Sequence, residues 1–350
     1  MALVGCGRIG TQTSSTLRDR LPRGWVPLSH AEAIAMHEGI ELKAFCDIDL
    51  ERAAQAAKMY NVAKYYEDYR MMIDKEQPAL MAVATRTAGR TDIVSYAAKA
   101  GVKGLHVEKP IALNLADCDD ALGNLSENGV HLTYGTTRRY MDVYRQAKAM
   151  IEAGDIGTLE HIAIEHGHTL LLWNHPHSVD LMLYFAGTTE ISAVQAHCNI
   201  QAISNDRMKV DDDPLVENAL VQFKNGIIGV ITGARGMNTR ISGSRGQLTI
   251  MADGSGIEIR YNKSGNGPYF LDSTYLTSLS AVSGTQRAIA ELVESTTDRV
   301  FPTISYAEVR TGLNILLAIA YSAVENGRKV ILEDIPPQFT VTGRFGDMYA

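Results

Sequence analysis

The sequence lacks three features that would each identify a broad class of protein. It has no excess of basic charge, since 33 Lys and Arg against 40 Asp and Glu give a net charge of −7 at pH 7. This balance argues against a nucleic-acid-binding protein, which needs a concentrated basic face. The four cysteines are far apart and form no CxxC pair, so neither a disulfide framework nor a cysteine zinc site is expected. No apolar run reaches the roughly 18 residues needed to span a bilayer, and no secretory signal opens the chain.

The composition is that of an ordinary globular protein. Of the 350 residues, 45% are apolar and 21% are charged, which is enough for a buried core. At about 150 residues per domain, this length predicts two domains. A reducing cytoplasm is the expected compartment, because the cysteine pattern suggests no disulfides.

A glycine-rich turn follows the first predicted strand. The segment GCGRIG, which opens at Gly5, has the G-x-G-x-x-G spacing of dinucleotide-binding turns. Gly5 suits the tight turn, Gly7 lets the backbone approach a pyrophosphate, and Gly10 lets a helix pack closely on the strand. Arg8 and Ile9 begin that helix, whose free N–H groups would bind the pyrophosphate. The alternative is a plain glycine turn, because the pattern alone is weakly specific.

Asp47 follows the second predicted strand, residues 41–46. A carboxylate at this position can accept both ribose hydroxyls of an adenosine and repel the 2′-phosphate of NADP. Because Ile48 rather than an arginine comes next, NAD is the predicted cofactor, with NADP left open. The alternative is that Asp47 or Asp49 caps the next helix, which is predicted over 50–59.

The glycine-rich turn and Asp47 are farther apart than usual. The spacing is about twice the roughly 20 residues that this kind of site normally has. The excess, residues 21–39, includes Ser29 and Glu32 at the spacing of a capping box. This spacing predicts a short extra helix over 30–38, and the sequence leaves the role of the insertion open.

Strands and helices alternate through the first part of the chain. The further predicted strands and helices are 78–84, 91–99, 104–107, 111–125 and 130–133. This alternation predicts a doubly wound parallel sheet. Ligands bind at the carboxyl ends of the strands in such sheets, so Thr85, Glu108 and Lys109 lie on the predicted functional edge.

Several motifs resemble those of the Gfo/Idh/MocA family, which includes glucose–fructose oxidoreductase, inositol dehydrogenases and many sugar dehydrogenases. They are the glycine-rich turn, CDID at 46–49, YYEDY at 65–69 and, most specific, EKP at 108–110. The segments 135–144 and 154–157, HSVD at 177–180 and a final helix over 305–327 extend the resemblance over nearly the whole chain.

The resemblance implies an α/β protein of two domains. The first, residues 1–130, is a Rossmann domain with a doubly wound parallel sheet. The second, residues 131–350, is a substrate-binding and dimerisation domain with an open, mostly antiparallel sheet, and its 305–327 helix packs back toward the first domain. The sequence agrees, because Ser305 and Glu308 form a capping box for that helix and hairpin patterns are present. The predicted hairpin strands are 216–223 with 227–232, around an Asn-Gly turn, and 247–251 with 257–261.

The function implied by the resemblance is an NAD(P)-dependent dehydrogenase acting on a secondary hydroxyl of a sugar, cyclitol or sugar derivative. His177 matches the family's catalytic histidine, and Lys109 matches the lysine that hydrogen-bonds the substrate hydroxyl and supports the proton relay. A base that titrates near working pH favours histidine, and an ammonium stabilises alkoxide charge in a dry pocket. Asp180, three residues after His177, is assigned to orienting or polarising the site, with a cap or a pairing elsewhere as the alternative.

The expected site residues form two sets. The cofactor-binding set is Gly5, Gly7, Arg8, Ile9, Gly10, Asp47, Thr85, Glu108 and Lys109. The substrate-binding set is Lys109, Arg139, Trp173, Asn174 and His177. The expected partners are a small sugar or polyol and further copies of the chain, as a homodimer or homotetramer; no metal, nucleic acid or membrane is expected.

The sequence departs from the family at one site position. Many members carry Asp four residues before the catalytic histidine, where this chain has Trp173. The proton relay would then be shorter, or Asn174 or His175 would take part, and Trp173 would stack on a sugar face or pack in the core.

Two alternative functions stay open. Because Trp173 replaces the aspartate found in many members, one alternative is that the protein is a catalytically silent relative that senses NAD and a ligand. The HxH pairs at 166–168 and 175–177 motivate a less favoured metal-dependent hydrolase, because such a pair on a strand points to one face.

Overall fold

The computed structural model describes residues 1–22, 24–262, 269–277, 282–297 and 301–343. Two large sheets, each covered by helices, contain most of the buried apolar side chains. Within the described ranges, no helix combines the length and the apolar character that crossing a membrane requires.

Six parallel strands form the first sheet. They are β1 (Ala2–Val4), β2 (Ala44–Cys46), β3 (Tyr65–Tyr66), β4 (Leu80–Val83), β5 (Gly104–Val107) and β6 (His131–Tyr134). Their order in the sheet is β3-β2-β1-β4-β5-β6, the doubly wound arrangement of dinucleotide-binding domains. Strands β1, β2 and β5 are buried along their whole length, because helices cover both faces of the sheet.

The connections of the first sheet are mostly helical. The helices are α1 (Arg8–Thr11), α2 (Ser15–Arg18), α3 (His30–Ala35), α4 (Leu50–Met59), α5 (Tyr69–Glu76), α6 (Arg90–Lys99) and α7 (Leu115–Glu127). The predicted helix over 30–38 ends early, at Ala35, and its predicted capping box is wrong. The Ser29 side chain caps no backbone N–H; its hydroxyl lies 2.6 Å from the Glu32 carboxylate instead.

The second half contains a nine-stranded sheet and a two-stranded one. Its elements are a 3₁₀ helix (Thr137–Tyr140), α8 (Asp142–Glu152), β7 (Leu159–Glu165), β8 (Thr169–Leu170), α9 (Leu171–Ala186), β9 (Ile191–Asn199), β10 (Lys209–Val210), β11 (Leu215–Phe223), β12 (Ile228–Ile231), β13 (Asn238–Gly243), β14 (Gly246–Met251), β15 (Gly256–Tyr261), β16 (Asp272–Thr277), α10 (Gly284–Thr297), α11 (Tyr306–Val324), a second 3₁₀ helix (Leu332–Asp334) and β17 (Thr340–Val341).

The large sheet is mostly antiparallel, as predicted. Its order is β16-β15-β14-β13-β7-β12-β11-β8, with β9 also paired to β11. Only β7 and β12 pair in parallel among its described strands. Both predicted hairpins are present, as β11 with β12 and β14 with β15. The short strands β10 and β17 form the second sheet.

The first sheet extends slightly beyond the predicted boundary between the two domains. Strand β6 pairs with β5 in the first sheet, although its residues fall in the second of the two predicted domains. We therefore place the boundary after Tyr134, before the 3₁₀ helix that leads to the second sheet.

Helix α11 contacts both halves. Its capping box forms as predicted, with Ser305 and Glu308 bonded reciprocally. The helix packs on α9 and β9 and also touches α7 of the first half, where Arg310 Nε donates to Asp119 Oδ1 at 2.6 Å.

Candidate active site

The turn between β1 and α1 fits a dinucleotide. At Gly5, φ is +97° and an added Cβ would lie 2.6 Å from the carbonyl carbon of Ala84, while at Gly10 a Cβ would lie 1.9 Å from the Gly5 oxygen. At Gly7 a Cβ would meet nothing within 4 Å, so the turn borders open space. Thr85, at the tip of β4, has a buried Oγ1 without a hydrogen-bond partner in the described part of the chain. Tight packing on one side and open space on the other is the geometry that a pyrophosphate needs.

Arg8 and Ile9 form the first turn of α1. The Arg8 side chain is exposed and Ile9 is half-buried. Thr11 closes the turn, since its hydroxyl lies 3.0 Å from the Gly7 carbonyl. An exposed guanidinium beside the open space suits a phosphate group.

Asp47 lies beside the glycine-rich turn. Its Oδ2 accepts a hydrogen bond from the Cys6 backbone N–H at 2.6 Å, and its Oδ1 accepts one from Asp49 at 3.0 Å. Asp49 is the residue that caps α4, by accepting from Glu51 and Arg52. The capping alternative therefore applies to Asp49, and the Asp47 carboxylate stays at the strand tip where a ribose is predicted.

Arg90, which the sequence analysis missed, holds the tips of β4 and β5 together. Its side chain is almost fully buried. It donates to the Glu108 carbonyl at 2.8 Å and also to the carbonyls of Thr85 and Pro110. Burial lowers the pKa of Arg90 to about 10, so the guanidinium remains charged at neutral pH. No sequence motif indicates this role, because Arg90 only begins a helix.

The Glu108 side chain is bonded to the inserted helix α3. Its Oε1 lies 3.0 Å from His30 Nε2, and His30 in turn packs edge-on against His106 with ring centroids 4.6 Å apart. Burial acts to raise the pKa of Glu108, but the His30 contact and nearby cations outweigh it and lower the pKa to about 2. The helix that the sequence left without a role therefore holds the carboxylate next to Lys109.

Lys109 reaches from the first half of the molecule to the second. Its ammonium donates to the backbone oxygen of Trp173, in the first turn of α9, and lies 4.9 Å from the centroid of the indole ring. Burial lowers the pKa of Lys109 to about 8, although Glu108 acts in the opposite direction. Trp173 is 48% exposed, so its ring is not part of the core.

His177 lies one turn after Trp173 on α9. Its Nδ1 is buried and lacks a hydrogen-bond partner among the residues that the structure describes. Burial lowers the pKa of His177 well below its usual range, and the charges of Arg138 and Lys109 lower it further. The imidazole is therefore neutral at neutral pH. Lys109 donates to Trp173, one turn earlier on the same helix, so both side chains belong to the junction of the two halves, which is called the cleft below.

Asp180 and Arg139 are paired with each other and not with that cleft. Arg139 Nη2 lies 2.7 Å from Asp180 Oδ1, and Arg139 Nη1 lies 3.1 Å from Glu308 Oε1. Arg139 is completely buried, so its donors serve ion pairs and do not reach a substrate. The alternative of a pairing elsewhere applies to Asp180. Burial raises its pKa although Arg139 opposes this.

Asn174 joins a network of buried polar side chains. It donates to Thr169 Oγ1 at 3.0 Å, which lies 3.1 Å from His175 Nε2. His175 Nδ1 lies 3.0 Å from Ser178 Oγ, which lies 3.5 Å from His166 Nδ1. Burial lowers the pKa of both histidines, so the network is uncharged.

The HxH pairs do not lie on one strand face. His175 and His177 belong to helix α9, where residues two apart point in roughly opposite directions because each turn takes 3.6 residues. His168 packs against Gly233, where a Cβ would lie 1.8 Å from its Nε2. In the described ranges, no group of three or more His, Cys, Asp or Glu side chains is arranged to hold a metal ion.

Arg138, the neighbour of Arg139, is also buried but has a different partner. Its Nε and Nη2 donate to the two carboxylate oxygens of Asp253 at 2.7 and 2.8 Å. Its Nη1 is buried without a partner within the described residues, and its charge acts on both Lys109 and His177. The sequence shows that the two arginines are adjacent but does not show which partner each one has. The prediction placed Arg139 in the substrate-binding set.

A comparison with protein families tests the family resemblance drawn from the sequence. The family model GFO_IDH_MocA, described as an oxidoreductase family with an NAD-binding Rossmann fold, matches residues 1–136. Over these residues the chain matches the Gfo/Idh/MocA oxidoreductase family. The resemblance drawn from the glycine-rich turn and the EKP motif is confirmed.

The chain is also similar to enzymes named for inositols. The myo-inositol 2-dehydrogenase of Thermotoga maritima is 27% identical over 269 residues, which cover 71% of this chain and 74% of that one. The scyllo-inositol 2-dehydrogenase (NAD(+)) of Bacillus subtilis is 29% identical over 250 residues, covering 67% and 66%. The crystal structure of a probable dehydrogenase from Thermotoga maritima has a TM-score of 0.70 at 22% identity, covers 96% of this chain and 99% of that one, and has the same fold.

Proposed function

We propose that this protein is an NAD-dependent dehydrogenase that oxidises a secondary hydroxyl of a cyclitol or a sugar. The observation that carries the proposal is that Lys109, from the first half of the chain, donates to the first turn of α9, the helix of the second half that carries His177. Lys109 follows β5, and the glycine-rich turn follows β1 of the same parallel sheet, so both lie at the carboxyl-end edge of that sheet. The names of the inositol dehydrogenase relatives support the substrate class.

NAD is proposed over NADP because of Asp47. Its carboxylate lies at the tip of β2 and is bonded to the glycine-rich turn through Cys6. A fixed negative charge there accepts ribose hydroxyls and repels a 2′-phosphate.

The chain's own groups supply the acid–base part of the reaction. The nicotinamide, when bound, supplies the hydride acceptor. His177, held neutral by burial, accepts the proton of the substrate hydroxyl. The Lys109 ammonium stabilises the negative charge that develops on the substrate oxygen. The bonds of Arg90 and His30 around Glu108 fix the strand end that carries Lys109.

The charge balance of the cleft favours a neutral substrate. Arg138 is paired with Asp253 at 2.7 Å, and Lys109 has Asp213 among its counter-charges. Because each of these cations already has a carboxylate near it, a carboxylate on the substrate would gain little attraction. A neutral polyol fits this balance.

The direct test is NADH formation from NAD⁺ across a panel of inositols and monosaccharides. Lys109→Ala and His177→Ala should each lower kcat about 10²–10⁴-fold, the range usual for an acid–base group, while NADH binding to His177→Ala stays near that of the wild type. The matched control is Lys103→Ala, because Lys103 is exposed at the opposite end of β5.

Two results would remove the proposal. Turnover that persists in both variants would exclude the assigned roles. NADH binding by the wild type, with no oxidation of any polyol in the panel, would favour the catalytically silent relative instead.

A further inference from the structure

The inserted segment begins and ends at the same place in the first domain. Helices α1 and α3 contact each other, and residues 12–29 connect them. This connection, which includes the start of the predicted insertion 21–39, is called the inserted segment below. The N–H groups of Leu28 and Ser29 both donate to Thr13 Oγ1, at 2.9 and 3.1 Å. These bonds hold the two ends of the inserted segment together, and other groups of the segment bind elsewhere in the molecule.

The C-terminal part of the inserted segment binds residues from the second half of the chain. Ser283 Oγ donates to the Pro27 carbonyl at 2.7 Å, and Thr285 Oγ1 donates to the Leu28 carbonyl at 3.2 Å. Trp25 Nε1 donates to the backbone oxygen of Asp253 at 2.7 Å. The inserted segment thus reaches the same aspartate that binds Arg138.

Trp25 and Asp253 hold the Arg138 guanidinium from two sides. The guanidinium carbon lies 4.8 Å from the centroid of the Trp25 indole, which is only 7% exposed. The Asp253 carboxylate accepts two bonds from Arg138 and a third from Tyr144 at 3.0 Å. The guanidinium is planar, so an aromatic ring against its face and a carboxylate bonded to its edge together fix its orientation.

This orientation leaves one donor of Arg138 for a ligand. Nη1 is buried and has no acceptor among the described residues, and a buried N–H without an acceptor is costly. Arg138 lies in the 3₁₀ helix after β6, three residues after Gly135, where a Cβ would be 2.9 Å from the Glu108 carboxylate. Arg138 is therefore close to the strand end that carries Lys109, and its charge acts on both Lys109 and His177. Since Asp253 neutralises the guanidinium, a neutral hydroxyl oxygen is the acceptor that fits.

We propose that Trp25 is a positioning residue, which fixes Arg138 so that Nη1 donates to a hydroxyl of the polyol. The proposal rests on the proposed dehydrogenase function and adds a specificity role for the inserted segment. Substrate binding then depends on a side chain that lies outside the Gly-rich turn, the EKP motif and α9.

The kinetic test uses Trp25→Phe, which keeps a ring but loses the N–H donor, and Trp25→Leu, which loses both. With myo-inositol and NAD⁺, the KM for inositol should rise about 3-fold in the first and about 10-fold or more in the second, with kcat changed less than about 3-fold and the KM for NAD⁺ unchanged. Arg20→Ala is the control, because Arg20 is an exposed residue of the same segment. In an Arg138→Met background, Trp25→Leu should add no further rise in KM.

A second measurement does not need turnover. The thermal unfolding midpoints of the wild type, Trp25→Leu, Arg138→Met and the double variant form a cycle, in which the double variant should lose less than the sum of the two single losses. If Arg138→Met does not fold, Arg138→Lys replaces it, since lysine keeps the charge but loses the two-pronged bond.

The outcomes separate this inference from the proposed function. Additive losses in the midpoint overturn the positioning role whatever the activity. Non-additive losses with an unchanged KM for inositol in both Trp25 variants overturn the role in substrate binding. If the wild type binds NADH but oxidises no polyol, the proposed function fails and the substrate part of this inference fails with it, while the cycle still decides whether Trp25 and Arg138 act together.

Discussion

Burial sets the charge of each residue that would take part in the chemistry. Lys109 and His177 are both cationic or neutral depending on pH, and burial favours the neutral form of each. For Lys109 the charge of Glu108 opposes burial, whereas for His177 the positive charges of Arg138 and Lys109 act in the same direction as burial. At neutral pH, a neutral imidazole therefore lies beside a largely protonated ammonium, and this is the pair that alcohol oxidation needs.

The pKa of Lys109 predicts how the rate depends on pH. If the ammonium stabilises the substrate oxygen, kcat/KM for inositol oxidation should fall as the pH rises through about 8, where Lys109 loses its proton. His177 is neutral from well below pH 6.5 upward, so it causes no loss between pH 6.5 and 8. In Lys109→Arg the fall should leave this range, because a guanidinium stays protonated. A rise in kcat/KM through pH 8 in the wild type would mean that the Lys109 amine accepts the proton, contrary to the roles assigned here.

At the scale of elements, the turn between β1 and α1 shows three different uses of glycine. Gly5 has a positive φ, and Gly10 has no room for a Cβ because the Gly5 oxygen would lie 1.9 Å from it. Gly7 has φ −73° and ψ −172°, values that any residue adopts, and open space where a Cβ would be. Gly5 and Gly10 are therefore required by the fold, whereas Gly7 leaves room for a ligand.

This difference predicts opposite effects of alanine at two positions. Gly10→Ala should lower the free energy of unfolding by about 1–3 kcal/mol or more, since the clash is with backbone and cannot relax by a side-chain rotation. Gly7→Ala should leave the unfolding midpoint near that of the wild type but weaken NADH binding about 10-fold or more, because the methyl group fills the space for the pyrophosphate. Thermal unfolding and NADH fluorescence titration measure the two effects. Wild-type NADH affinity in Gly7→Ala would place the cofactor elsewhere.

At the scale of the whole molecule, Arg139 connects elements that meet where the two sheets join. It lies in the 3₁₀ helix after β6 and binds Asp180 of α9 and Glu308 of α11. Helix α11 also bonds to the first half through Arg310 and Asp119. The position of α9, and hence of His177, depends on this buried ion-pair group.

Removal of Arg139 is expected to be strongly destabilising. Arg139→Met leaves the buried Asp180 carboxylate without its partner, which costs about 3–5 kcal/mol of unfolding free energy in comparable buried pairs. Adding Asp180→Leu should recover part of that loss, because an apolar pair needs no desolvation of charge. Thermal unfolding checks both variants. If Asp180→Asn instead lowered kcat with no change in unfolding midpoint, Asp180 would belong to the catalytic groups, as the sequence analysis assigned it.

Elements with a local signal could be predicted from the sequence. The apolar runs gave the buried strands β4 and β5, the Asn-Gly turn gave the hairpin of β11 and β12, and Ser305 with Glu308 gave the start of α11. The same capping pattern at Ser29 and Glu32 gave a wrong prediction, because a backbone group distant in sequence changed the bonding: Glu32 accepts from the Thr13 backbone N–H at 2.9 Å.

The sequence by itself determined the family resemblance, the glycine-rich turn, the strand end before Lys109 and the motif that contains His177, because each depends on a few consecutive residues. Only the tertiary structure decided which partner each of the adjacent arginines has, that His30 holds Glu108, and that Trp25 reaches Asp253 across 228 positions of sequence. The physical reason is that short-range patterns fix backbone conformation, whereas the partners of buried polar side chains depend on how two separately built sheets come together.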